Sequence, residues 1–392
     1  MASPKNLGIT GYDSAHFYVH DLDRARDFYV NKMDFAVLGR SSPELEKETG
    51  VRTEVYGARN IRFAVSASLR KGSAVDHYLQ RHPEGAKRIA MRVKDLDHAI
   101  EKLDARKACF THDPVEERLS GGTYKEINIT GPLGDVDYTF IERGGNVDQW
   151  APGMDVVVGE GGENRFGLAA MDHVTSNIRS MMAAVLFYRD VLGFEHFWDI
   201  DFHTQDSKPD ATTGSGLRSI VMADPDSLVK FATNEPKKPH FTDSQIQVFV
   251  DDNHGAGVQH IALATPDIVQ TVGGLRQRDV RFLDAPDTYY GMLPERMAGR
   301  GVTNIQEDIE VLEENRILVD GRDERYLLQI FMKENAELFG DKQAGPFFHE
   351  VIQRRGDNGF GEGNFRALFE SIEKDQTKRL SKAEIERMVT VD

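Results

Sequence analysis

Two stretches decide the fold of this chain: residues 12–35, YDSAHFYVHDLDRARDFYVNKMDF, and residues 171–194, MDHVTSNIRSMMAAVLFYRDVLGF. Phe-Tyr pairs at 28–29 and 187–188 and the phenylalanine that closes each stretch share one offset of 159 residues. Each stretch predicts a short alternating strand followed by an amphipathic helix of about three turns. An internal repeat of this kind indicates two related halves.

Two further pairs of segments extend the repeat. RIAMRVKDLDHAIEKL begins at Arg88 and HIALATPDIVQTVGGL begins at His260, and in each an aspartate, Asp95 or Asp267, stands where a helix N-cap is expected. A weaker match sets DYTFIER, residues 137–143, beside FFHEVIQR, residues 347–354. Alternating apolar residues predict other strands at 136–141, 219–223, 245–250 and 326–331. The sequence therefore predicts an α+β fold of repeated β–α–β–β–β units.

The length of 392 residues predicts two domains, because one hydrophobic core rarely grows that large. The Gly-rich segment 152–164, PGMDVVVGEGGEN, is interpreted as the crossover between them. We predict a first domain at 1–155 without metal ligands. The second, at 165–392, would hold a metal site and end in a C-terminal helix whose apolar stripe begins at Phe365.

Composition excludes several classes of function. A net charge of −16 argues against binding to nucleic acid or to anionic membranes. No apolar run approaches the roughly 20 residues of a membrane span, and the N-terminus lacks a signal-peptide core. The single cysteine, Cys109, excludes an internal disulfide framework and a multi-cysteine metal site. We expect a cytoplasmic protein that binds neither nucleic acid nor membrane.

Three residues of the second half indicate a metal site. Glu350 and His260 lie in apolar, strand-like runs, where a carboxylate is costly unless it is paired or binds a metal. Two imidazoles and one carboxylate on one face of an ion leave open positions for substrate and O₂, as in non-haem Fe(II) oxygenases. The three residues, His173, His260 and Glu350, correspond in the repeat to Ser14, Arg88 and Thr139. Other histidines are interpreted as surface or core residues: His16, His20, His203, His240, His254 and His349.

Several short motifs, taken in their order along the chain, resemble one protein family. GVQHIAL, GLRSIVMA, NEP, SQIQ, YLLQIF, FFHEVIQR and GFGEGNFRALFESIE together resemble the 4-hydroxyphenylpyruvate dioxygenase family. The resemblance covers nearly the whole chain and is strongest from about residue 165 to 375. It implies the vicinal-oxygen-chelate fold (the glyoxalase and bleomycin-resistance fold), with two domains of β–α–β–β–β modules forming open barrels and a catalytic Fe(II) in the C-terminal domain.

The resemblance also implies site residues, carried over motif by motif. The metal ligands would be His173, His260 and Glu350, the set already reached from the repeat. Substrate-binding residues would be Ser219, Asn234, Gln245, Phe331, Phe360 and Phe365, with Phe331 and Phe360 on either side of an aromatic ring. Catalytic residues would be Gln259 and Gln329, close to the iron, and Asn364 on a gating helix.

The implied activity is Fe(II)-dependent conversion of 4-hydroxyphenylpyruvate and O₂ to homogentisate and CO₂, in the breakdown of tyrosine and phenylalanine. A homodimer or homotetramer is implied as well. The nearest alternative is 4-hydroxymandelate synthase, which takes the same substrate, although Asn234, Phe360 and the run 363–365 are closer to the dioxygenase. An extradiol catechol dioxygenase or glyoxalase shares the fold but would not explain the GFGEGNF segment. A non-catalytic binding module of this fold remains open, since the first half already lacks the triad.

Overall fold

The computed structural model describes residues 6–145, 148–203, 216–227, 229–238, 244–285 and 287–364. Its strands form two curled sheets. The first sheet contains β1 (Ile9–Val19), β2 (Ala36–Ser41), β3 (Val51–Ala58), β4 (Ile61–Ser68), β5 (Gly85–Val93), β6 (Val115–Leu119), β7 (Gly122–Thr130), β8 (Asp137–Gly145) and β9 (Met154–Val156). The second contains β10 (Ala170–Asn177), β11 (Glu195–His203), β12 (Gly216–Ala223), β13 (Lys230–Pro236), β14 (Gly257–Ala264), β15 (Leu318–Arg322), β16 (Arg325–Phe331) and β17 (Phe348–Arg355).

The helices lie between these strands and are short. They are α1 (Leu22–Arg26), α2 (Pro43–Thr49), α3 (Ala74–Leu79), α4 (Leu96–Ala105), α5 (Met182–Phe187), α6 (Gln245–Asp252), α7 (Ile268–Gln277), α8 (Asp287–Gly291), α9 (Leu293–Gly299), α10 (Ile309–Glu314) and α11 (Asn335–Phe339). π-Helical turns at Asp27–Lys32 and Tyr188–Leu192 extend α1 and α5, and Lys342–Ala344 forms a 3₁₀ turn. None of the described helices is long and apolar enough to cross a membrane.

The order of strands confirms the repeated β–α–β–β–β unit. In each half two four-stranded modules meet at an antiparallel pair of their first strands, β1 with β5 and β10 with β14. Within a module the first strand pairs in parallel with the last, as β14 does with β17. Asp95 and Asp267 cap α4 and α7, as predicted, by accepting from backbone N–H groups of the first turn. The α+β class is confirmed, and the domain boundaries at 155 and 165 stay a prediction.

The strand register also confirms the pairing of positions across the repeat. Thr175 lies opposite His260 in the second sheet, where the first sheet sets His16 opposite Arg88. Ala262 lies opposite Glu350, where the first sheet sets Ala90 opposite Thr139. The second half therefore places its triad where the first half places Ser14, Arg88 and Thr139.

The strand predicted at 245–250 was wrong, because this segment forms α6. Ser244 caps the helix by accepting from the Ile246 N–H group, and Ile246, Phe249 and Val250 are buried. Their spacing of three and four residues fits one face of a helix, and the alternation that predicted a strand is present in the same six letters. The N-cap serine, Ser244, favours the helix.

The two halves share one continuous hydrophobic core. The Tyr138 and Tyr188 hydroxyls lie 2.7 Å apart, and the Tyr12 hydroxyl donates to the Lys230 carbonyl at 2.5 Å. From β17, His349 is buried against the rings of Phe28 and Phe63 of the first half. The interpretation of His349 as a core residue is thereby confirmed, while the predicted helix from Phe365 onward lies outside the described residues.

Candidate active site

Three central strands of the second sheet, β10, β14 and β17, bring His173, His260 and Glu350 together. The Nε2 atoms of the two histidines each lie 3.3 Å from Glu350 Oε2. The potential ligand atoms of the three side chains all lie within 4.8 Å of one another, and all three residues are buried. Residues almost 180 positions apart in the chain therefore converge on one point.

The outward nitrogen of each imidazole has its own acceptor. His173 Nδ1 lies 2.9 Å from Asp172 Oδ1, and since a carboxylate only accepts, the imidazole donates there. His260 Nδ1 lies 3.1 Å from Gln259 Oε1 and donates to that amide oxygen. Each Nε2 then carries a lone pair toward the common centre, which is the orientation that a metal-ligating histidine requires.

The electrostatics suit a cation at this centre. Burial alone would raise the pKa of Glu350, but the two imidazoles lower it to about 2, so the carboxylate is ionised. Burial lowers the pKa of His260; at His173 the Glu350 and Asp172 carboxylates overcome burial and raise the pKa. Glu350 Oε1 is buried without a hydrogen-bond partner among the described residues. Two imidazole nitrogens and a carboxylate oxygen, with no thiolate, therefore fit a divalent metal.

A narrow cavity of about 30 Å³ adjoins the three residues. On one side the Phe331 ring lies 6.0 Å from the His260 ring. On the other side the Phe360 ring lies 4.7 Å from the His173 ring and stacks on Trp198 at 5.6 Å. The predicted residues that line this cavity, besides the triad, are Asn234, Gln245, Gln259, Gln329, Phe331 and Phe360. Thr175, Leu217, Ala232 and Ile246 complete the lining.

Both halves of the chain match protein-family models. Residues 14–124 and 170–293 each match a model described as the Glyoxalase/Bleomycin resistance protein/Dioxygenase superfamily. A 4-hydroxyphenylpyruvate dioxygenase from Dictyostelium discoideum is 37% identical over 95% of this chain and 99% of its own length. The chain belongs to the 4-hydroxyphenylpyruvate dioxygenase family. The family member from Danio rerio is 35% identical over 96% of this chain and 93% of its own length.

Solved structures confirm the fold of this 4-hydroxyphenylpyruvate dioxygenase family member. A mutant of 4-hydroxymandelate synthase from Streptomyces coelicolor superposes with a TM-score of 0.75 and covers 94% of this chain and 99% of its own. Its sequence identity is 23%, so this likeness shows the fold alone. The vicinal-oxygen-chelate fold implied by the motifs is thus confirmed.

In this family member, two predicted polar residues meet on neighbouring strands. Ser219 on β12 lies opposite Asn234 on β13. The Asn234 amide donates to Asn177 Oδ1 at 3.0 Å, which leaves Asn234 Oδ1 and Ser219 Oγ buried without partners among the described residues. Ser219 is not part of the cavity lining, so its contact with a ligand stays a prediction.

The remaining predicted residues lie toward the C-terminus. Asn364 is buried, and its Oδ1 accepts from the Tyr289 hydroxyl at 2.7 Å. It is not part of the lining either, and its role stays a prediction. Phe365 lies outside the described residues.

Three residues that support His173 were not predicted from the sequence. The Arg354 guanidinium donates to both oxygens of Asp172 at 2.7 Å, and Lys230 Nζ lies 3.3 Å from Oδ1. All three side chains are largely buried. Two signals were available: Asp172 directly precedes His173, and Arg354 follows Glu350 by four positions on the same face of β17.

Proposed function

We propose that this protein catalyses the reaction for which its family is named, the conversion of 4-hydroxyphenylpyruvate and O₂ into homogentisate and CO₂ in tyrosine and phenylalanine breakdown. The observation that carries the proposal is the convergence of His173, His260 and Glu350 in a chain 37% identical to a curated member of the family. Atoms balance: one oxygen atom of O₂ enters the new side-chain carboxylate, and the other becomes the ring hydroxyl.

We propose Fe(II) as the metal. The donor set of two imidazole nitrogens and one carboxylate oxygen, which leaves other positions open, supports this choice. The ion would supply open coordination positions at which the 2-oxo acid and O₂ are activated. The substrate carries its own 2-oxo acid, so no separate 2-oxoglutarate is needed.

The side chains around the cavity would orient the substrate. Phe331 and Phe360 would hold the phenyl ring, since offset aromatic contacts add roughly 0.5–1.5 kcal/mol to apolar burial. Asn234 Oδ1 is free to accept from the phenol O–H. The amides of Gln259 and Gln329 line the cavity and would position the polar end. The buried walls exclude water from the reacting groups.

Entry of a phenyl ring requires part of this wall to move. A cavity of about 30 Å³ has room for only a few water molecules. Phe360 lies between the His173 ring and Trp198. The segment that carries Phe360 would therefore shift when the substrate binds, consistent with a gating role for the residues that follow it.

The proposal is tested by reconstituting the protein with Fe(II) without oxygen, adding 4-hydroxyphenylpyruvate, and then admitting O₂. We expect one O₂ consumed and one homogentisate and one CO₂ released per substrate. Product consisting only of 4-hydroxymandelate would reassign the protein to the synthase. Iron-loaded protein that binds the keto acid and consumes no O₂ would make it a binding module.

We further propose a cytoplasmic homodimer or homotetramer whose ligands are small molecules rather than nucleic acid or membrane. The net charge of −16 argues against nucleic acid and anionic membranes, and the single cysteine fits a reducing compartment. The oligomeric state rests on the family resemblance alone. Light scattering of the purified protein distinguishes the dimer from the tetramer and from a monomer.

A further inference from the structure

The first half contains a cavity of about 340 Å³, and it lies at the position that the metal centre occupies in the second half. Ser14 and Arg88, which take the places of His173 and His260, line it. Thr139, in the place of Glu350, donates its hydroxyl to Asn128 Oδ1 at 2.8 Å. With a guanidinium in place of an imidazole, this cavity is unsuited to a metal ion and suited to an anion.

Three ring or guanidinium nitrogens on the walls of this cavity are buried and lack hydrogen-bond partners within the described part of the chain. They are His16 Nδ1, Arg88 Nε and Trp150 Nε1. The arginine and tryptophan nitrogens can only donate. Buried donors are normally satisfied, so a cavity with two of them calls for an acceptor.

The charge of Arg88 is only loosely balanced. Among the described residues its carboxylate partner is Glu126, with 3.8 Å between Nη1 and Oε2, beyond hydrogen-bond distance. That same oxygen accepts from the Tyr124 hydroxyl at 2.5 Å. Burial, with the charges of Arg88 and Lys87, lowers the pKa of His16 to about 3, so His16 is neutral. Arg88 is thus the cationic side chain among the residues that line the cavity.

The rest of the wall is mostly apolar and aromatic, and its other polar side chains are Glu126, Thr49, Thr53 and Ser66. The Trp150 ring meets the His16 ring edge to face, with the ring centroids 5.7 Å apart. The volume lies within the range of small-molecule pockets, roughly 300–1,000 Å³, and exceeds what an inorganic anion requires. Other apolar side chains of the lining are Leu45, Val51, Val115, Ile141 and Met154.

We propose that the first half binds a small aromatic monocarboxylic acid in this cavity. The carboxylate accepts from the Arg88 guanidinium and from the Trp150 indole N–H, and the ring packs against the apolar wall. All the described residues that line the cavity belong to the first half, so this site is separate from that of the proposed reaction. The acid is either the substrate or product of the second half or an unrelated aromatic acid of the same chemistry.

The test uses Trp150 as the reporter. The chain has two tryptophans, so in a Trp198→Phe variant Trp150 is the sole source of indole fluorescence. Metal-free protein of this variant is titrated with phenylacetate, with neutral phenylacetamide and with inorganic phosphate. We expect a saturable change in emission with phenylacetate, and binding at least tenfold weaker for the amide and for phosphate.

Added variants assign the binding to the guanidinium. Arg88→Met should weaken phenylacetate binding at least tenfold, whereas Arg88→Lys should retain part of it. Arg118→Met, at an exposed arginine of β6, should bind as the parent does. Equal binding by Arg88→Met, or tight binding of the amide, would overturn the proposal. Thermal melting of each variant shows that it is folded.

A last titration identifies the source of the acid. Homogentisate and 4-hydroxyphenylpyruvate are compared with phenylacetate by calorimetry on the parent and on Arg88→Met. An Arg88-dependent binding event that is tighter for either of the two makes it the natural occupant. Similar affinity for all three indicates a site for aromatic acids in general, and no Arg88-dependent event with any of them contradicts the proposal.

Discussion

At the scale of single residues, the proposed metal centre depends on hydrogen bonds that its predicted histidine ligands make through Nδ1. His173 donates to Asp172, which is itself fixed by two hydrogen bonds from Arg354. His260 donates to the side chain of Gln259. These contacts hold both rings with Nε2 toward Glu350 before any ion arrives, which reduces the reorganisation required for binding.

Replacing a ligand should abolish the centre while leaving the fold intact. In His260→Ala one of the three predicted ligands is lost. We therefore expect metal affinity and turnover to fall more than about 100-fold, beyond the range for outer-shell partners. Metal content and O₂ consumption measure this, with circular dichroism to check folding. Full turnover by the variant would show that His260 is not a ligand.

Asp172 should act on the metal only through His173. Asp172→Asn keeps the size of the side chain but removes the charge that Arg354 and Lys230 neutralise. We expect metal affinity to fall about 10–100-fold, as for other outer-shell partners. Asp251→Asn, at an exposed aspartate paired with Arg179, is the matched control and should not change affinity. Equal metal affinity in Asp172→Asn and Asp251→Asn would contradict the role of Asp172 in supporting His173.

At the scale of elements, the strands were predictable and the packing around them was not. His260 and Glu350 were found because a polar residue in an apolar strand conflicts with its own surroundings. The positions of Asp172 and Arg354 near predicted ligands were visible in the sequence, but the ion pair between them was not, because it depends on which strands come together. The helix at 245–252 was missed because six alternating residues fit both periods.

A glycine in the segment after β17 lies close to a predicted catalytic residue. Gly361 has a φ of +72°, and a Cβ there would lie 2.7 Å from the Gln329 amide nitrogen. In Gly361→Ala we expect Gln329 to be displaced and turnover to fall by about tenfold, the effect of roughly 1.4 kcal/mol on the barrier.

Gly340→Ala is the matched control for that substitution. Gly340 has a φ of +66°, so alanine meets similar backbone strain, but no atom of the described residues lies within 4 Å of its Cβ position. The control should lose stability and retain turnover per folded molecule. If both variants retain turnover, contact with Gln329 is not important for the reaction.

At the scale of the whole molecule, the sequence repeat predicted two halves. It could not predict that the two halves share one hydrophobic core. Periodicity reports which residues of a strand are buried, but not whether they meet their own half or the other. Asp34 illustrates this, because its buried carboxylate accepts from the backbone N–H and the guanidinium of Arg165, more than a hundred residues away.

The contact between Asp34 and Arg165 predicts a pH dependence of stability. Burial opposes ionisation of Asp34, but the hydrogen bonds and charge of Arg165 lower its pKa below the unfolded value of about 3.9. Its contribution is therefore present above that value and is lost as pH falls through the folded pKa. Asp34→Asn should melt about 2–4 °C lower at pH 7, a shift that roughly 1 kcal/mol produces, and this difference should shrink as pH falls below about 3.9.

Asp104→Asn, at an exposed position on α4, is the control for this measurement and should follow the parent at every pH. A melting difference for Asp34→Asn that stays constant from pH 7 to pH 3 would show that shape rather than charge is responsible.

Successive residues of β17 face opposite ways, with Glu350 toward the metal centre and His349 among aromatic rings of the first half. A displacement of the first half against His349 would therefore also shift the backbone that carries Glu350. The first half, which lacks the triad, thus helps to position the carboxylate that we propose as a metal ligand in the second half.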